Sequence, residues 1–178
     1  MNPEQCEFLA ENELILPNFN ERTLQLICGD VGPFEAGVPI VVPIWLAVYL
    51  KKRHKCTIIP PDWLTIDELN RQIANENEHS AFSNVPKCFL EIAHIVLTHA
   101  KEDVEDIDQL KTLIADLWDK RVAKMRNSEI EFLKQHKFSY AQLDNLTQME
   151  VACARPVLST ATKMIEKLND AFHSISQI

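Results

Sequence analysis

The placement of glycine constrains this chain more than any other feature. There are three glycines in 178 residues, and Gly29, Gly32 and Gly37 all fall between Cys28 and Leu64. Five of the nine prolines, Pro33, Pro39, Pro43, Pro60 and Pro61, share that stretch. Glycine supplies positive φ and proline fixes φ, so tight turns gather there. Short apolar runs, Pro39–Val42 and Cys56–Ile59, alternate with the turns and read as strands. Leu14–Leu16 and Leu24–Cys28 add two more, enough for a small sheet of three or four strands. Pro43 opens the apolar segment Ile44–Leu50, which ends in Lys51-Lys52-Arg53. Proline at the first helical position and cations in the last turn predict a short helix. Trp45 and Leu46 are expected to pack it onto the sheet, unless the Trp45 ring faces a partner. Beyond Leu64 there is no glycine at all. The chain therefore divides into a small N-terminal β-rich domain, residues 1–64, and a helical-bundle domain with long amphipathic helices, residues 65–178. The class is α+β, mainly α.

Helix signals order the rest. Pro3 starts a short helix running to Glu11. Thr65 and Glu68 have the spacing of a capping box, predicting a helix from there to about Asn77. Residues 79–86 read as a loop, and Pro86 begins a helix to about Lys101. The acidic run Glu102–Asp108 lacks the glycine of a calcium loop and complements the dipole of the next helix. That helix, about Ile107 to His136, places Ile107, Leu110, Ile114, Leu117, Trp118, Val122, Met125 and Phe132 on one face. At about 45 Å it is longer than the domain that holds it. A last helix, about Asn145 to Phe172, contains Pro156, which is expected to kink it.

Catalytic chemistry is not indicated. The five cysteines are widely spaced with no C-x-x-C pair, which predicts packed, reduced thiols rather than zinc or disulfides. No P-loop or dinucleotide-binding glycine pattern occurs. His94 and His99 are about 140° apart around a helix and do not share a metal easily. No cofactor or metal is expected. No apolar run approaches the roughly 20 residues of a membrane span, and no signal-peptide core is present. A net charge of −8 gives no global case for nucleic-acid binding. The densest basic cluster, Lys51, Lys52, Arg53 and Lys55, is offered as a contact to DNA or to a partner. Arg121 lies amid the apolar face of the long helix, and Glu150 on the apolar side of the last. A buried charge needs a partner. Arg121 is expected to pair with Glu150 or with an acid on another chain, unless it snorkels to solvent and Glu150 simply caps the N-terminal turn of its helix.

Several clusters carry a resemblance. Gly32-Pro33-Phe34, with Gly37 and Pro39, is followed by Val42-Pro43-Ile44-Trp45-Leu46-Ala47 and by Lys55-Cys56 with Pro60-Pro61-Asp62-Trp63-Leu64. The run from Leu117 to Arg126 and the run from Leu143 to Glu150 complete it. In these the chain resembles the PSF-two subunits of the eukaryotic GINS complex. The resemblance implies a heterotetramer of four related subunits whose helical domains form its core, joining the Mcm motor ring and its activator protein into the active replicative helicase. It implies no catalysis of its own, a nuclear location and replisome partners including a replicative polymerase. Trp118, Arg121, Met125, Met149 and Glu150 are the candidate subunit-interface residues. A rival function is a DNA-binding adaptor that uses Lys51–Lys55.

Overall fold

The computed structural model describes residues 11–26, 29–134 and 144–175. The expected helix from Pro3 lies outside them apart from Glu11. The head is built on β1 (Asn12–Pro17), the middle strand of a sheet ordered β4-β1-β5, with β4 at Ile40–Pro43 and β5 at Cys56–Ile58. Both pairings are antiparallel, with Glu13 opposite Val42 and Ile15 opposite both Ile40 and Ile58. The alternation of β1 buries Glu13, Ile15 and Pro17 and turns Leu14 outward, as one covered sheet face requires.

The strand expected at Leu24–Cys28 does not join this sheet. Its described part, β2 (Leu24–Leu26), pairs among the described residues with β3 (Gly29–Val31), a strand hidden in the sequence because glycine and aspartate dominate it; residues 27 and 28 lie outside them. Gly32 follows at φ 120°, and a Cβ there would lie 3.0 Å from the Thr23 Cα. No other residue fits that approach. Phe34 is buried just beyond, stacked on Phe19 at 5.3 Å.

α1 (Ile44–Lys52) lies across the sheet through Ile44, Leu46, Ala47 and Leu50. Trp45 does not pack there. It is exposed, because the helix turns it away from the buried stripe.

The body comprises α2 (Ile66–Glu78), α3 (Phe89–His99), α4 (Ile107–Lys134) and α5 (Gln148–Ile175). α3 starts three residues after Pro86, because Cys88 is left-handed at φ 54°. Among the described residues of α4, the buried row is Leu110, Ile114, Leu117, Arg121 and Met125. α5 runs unbroken through Pro156. Of the three described cysteines Cys56 is buried and Cys88 half-buried, but Cys153 is exposed, against the expectation of packed thiols.

One core cluster runs from Ile15 in the head to Leu117 in α4. Asp103 fastens the two parts. Its Oδ1 lies 2.7 Å from Lys51 Nζ and its Oδ2 accepts from the Ile58 N–H at 2.9 Å. Part of the acidic run thus serves the head rather than the dipole of α4, whose first turn carries Asp108.

Candidate functional site

Arg121 is the centre of the body. Its side chain is buried, and all five of its N–H donors are matched. Nε donates to Glu150 Oε1 at 2.6 Å, and Nη2 to Glu150 Oε2 at 3.0 Å and to the Asn145 carbonyl at 2.8 Å. Nη1 donates to Glu76 Oε2 and to the Ser83 carbonyl, both at 3.0 Å. The guanidinium also sits 5.5 Å from the Phe82 ring centre. One residue of α4 therefore ties the end of α2, the 82–83 loop and the start of α5.

Each acid is held from more than one side. Glu76 also accepts from the Ser83 N–H at 3.0 Å and from the Ser83 hydroxyl. Lys124 Nζ stands 2.7 Å from Glu76 Oε1 as an ion pair, while its hydrogen bonds go to the Glu76, His79 and Ala81 carbonyls. Burial alone would raise the Glu76 carboxyl. The contacts from Lys124 and Ser83 and the Arg121 charge outweigh it and hold the group below the usual carboxylate range.

Glu150 Oε2 accepts from the Thr147 N–H at 2.7 Å, and the Thr147 hydroxyl meets the Glu150 N–H at 3.3 Å. This is a capping box. It opens α5, not α2: the Thr65 side chain makes no cap, and Glu68 turns to Arg71 at 2.6 Å.

The arrangement balances two cations against two carboxylates. The Cys56 thiol is pushed up to about 11, chiefly by burial, which keeps it protonated at neutral pH. Among the described residues no group of three or more His, Cys, Asp or Glu side chains is placed to hold a metal.

Of the five candidate interface residues, Arg121, Met125 and Glu150 are buried within the chain, Trp118 is half-buried and Met149 is exposed. Of the basic cluster, Lys51 is held by Asp103, and Lys52, Arg53 and Lys55 are exposed. Residue-level reading missed Glu76 and Ser83. Glu76 carried a signal, since it lies seven residues after Leu69 and three after Ile73, on the inward stripe of α2.

Above the network α5 has two faces. Glu150 and Ala154 are buried, and Leu158, Ala161 and Thr162 are half-buried in line with them. Beside that row Met149, Cys153, Val157 and Met164 are exposed, Val157 by 51% and Met164 by 62%.

Comparison with known proteins gives two adjoining matches. Residues 2–59 match the model of the PSF2 N-terminal domain. Residues 63–169 match that of the GINS complex protein helical bundle domain. The chain is 53% identical, over 99% of its length and 94% of the relative's, to a probable DNA replication complex GINS protein PSF2 of Brugia malayi. It is 41% identical to the Caenorhabditis elegans counterpart, over 92% of this chain and 93% of the other. It is 39% identical to the DNA replication complex GINS protein PSF2 of Homo sapiens, over 94% and 92%.

Proposed function

The chain belongs to the PSF2 family of GINS complex proteins, which act in DNA replication, and on that footing we propose that it is a non-catalytic, structural subunit of a GINS heterotetramer. The observation that supports this most is the outer face of α5, where Val157 and Met164 stand in solvent on a long helix. Fully burying side chains of this size against a partner would contribute about 1.5–3 kcal/mol each. In this reading Met149, Val157 and Met164, with Trp118, pack against helices of the other three subunits. Arg121, Met125 and Glu150 act from inside, by fixing the course of α5 before a partner arrives.

The assembled tetramer would then join the Mcm ring and its activator protein into an active replicative helicase in the nucleus, through initiation and elongation, and would meet a replicative polymerase there. A DNA-binding adaptor working through Lys51–Lys55 is the weaker reading, since Lys51 is already spent on Asp103. The test is co-purification. Val157→Asp with Met164→Asp alters only exposed positions, so the chain should fold as before and lose its partner subunits. Retention of all three partners by that variant would contradict the assignment of the α5 face.

A further inference from the structure

The head carries a second exposed surface, separate from α5. α1 turns Leu46, Ala47 and Leu50 inward and presents Trp45 and Tyr49, one turn apart, to solvent. Lys52 and Arg53 continue that ridge, and both are exposed. The Arg53 guanidinium lies 4.5 Å from the Tyr49 ring centre. His54 then takes φ 55°, turning the chain sharply into the exposed Lys55. Lys55 Nζ sits 6.0 Å from the ring centre of Phe19, a residue far away in sequence. The fold thus sets two of these cations against aromatic rings. At the end of α3 His99 is held below the usual histidine range, first by burial, then by the charges of Lys52 and His94. Lys52, Arg53 and Lys55 thus gather exposed positive charge at this corner of a chain whose net charge is −8.

We propose that the Trp45–Tyr49–Arg53 ridge, with Lys52 and Lys55, docks an acidic peptide segment of a partner protein that also carries a large apolar side chain. Trp45 and Tyr49 offer broad apolar contact with few rotatable bonds. Arg53 offers a planar fork to a carboxylate, and stacking on Tyr49 already orders it. Two observations favour a peptide over nucleic acid. Arg53 covers the Tyr49 face, so that ring is not free for a base to stack on. α1 is only about 14 Å long, so a polyanion running past it would meet the rest of an acidic protein. A short acidic segment meets only the positive corner.

The experiment uses the full chain with its co-purified partner subunits. The probes are a fluorescein-labelled peptide of Asp and Glu with interspersed Leu and Phe, its Asn and Gln counterpart, and oligothymidine. The acidic peptide is expected to bind saturably and its neutral counterpart about tenfold more weakly. Lys52→Glu with Arg53→Glu is expected to weaken the acidic peptide by about tenfold or more, equivalent to ~1.4 kcal/mol. Trp45→Ser alters another exposed residue and is expected to weaken the same peptide while leaving subunit assembly intact. Binding unchanged in both variants, or no saturable binding up to about 1 mM, would overturn the proposal. Tighter binding of oligothymidine, lost in the same variants, would assign the ridge to nucleic acid instead.

Discussion

Arg121 and Glu150 face each other across α4 and α5 through two parallel hydrogen bonds, 2.6 and 3.0 Å long, with both side chains buried. Such a pair adds direction to its energy, because the planar guanidinium meets the carboxylate in one orientation. Here the orientation sets how α5 leaves the body. Glu76 on the other edge of the guanidinium, its charge matched by Lys124, ties α2 into the same joint.

Removing one member should be worse than removing the set. Arg121→Met leaves two buried carboxylates short of a cation and should cost about 3–5 kcal/mol. Combining Arg121→Met with Glu76→Gln and Glu150→Gln should recover part of that loss. Urea unfolding of the three single mutants, the Arg121/Glu150 double and the triple checks this. Additive effects below about 1 kcal/mol would place the network at the value of an exposed ion pair.

Stability should fall on both sides of a mildly acidic optimum. Glu76 has a folded pKa below its ordinary value, so its contribution is present above about pH 4.5 and disappears as pH drops through the folded pKa. Glu13 behaves oppositely. It faces the head core from β1, and burial pushes its carboxyl up to about 7. The folded state then holds a proton that the unfolded chain has released, so stability declines as pH rises from about 4.5 to 7. Glu13→Gln should flatten that decline and stabilise the protein at pH 8 by roughly 1–3 kcal/mol. Thermal melts of both proteins across the range measure it.

Asp103 should decide how firmly the head is held. Asp103→Ala removes the Lys51 ion pair and leaves the Ile58 N–H without its acceptor, at a cost of about 1–3 kcal/mol. Asp103→Asn keeps an acceptor and should cost less. Amide exchange at Ile58 should quicken in the alanine variant while amides in the middle of α4 stay protected.

Much of this architecture was legible in the residues. The helical body, the inward row of α4 and Arg121's need for a carboxylate all follow from local rules. The failures have two sources, the local course of a helix or a competing neighbour on it, and contacts far along the chain. Thr65 and Glu68 have the same spacing as Thr147 and Glu150. Only the latter form the box, because Glu68 finds Arg71 and Gln72 instead. Trp45 reads as core by its size, yet the turn of α1 leaves it outside. Asp103 reads as one acid among several until Lys51 and β5 are brought against it.

In the proposed function the outer face of α5 lies inside an assembly of GINS subunits. The most direct measurement is the native mass of the complex recovered when this chain is co-expressed with the three other subunits of the proposed tetramer. The predicted result is one species containing each subunit once, with the chain alone self-associating or aggregating. A monodisperse, cooperatively unfolding monomer of this chain, purified while the other three assemble without it, would contradict the account.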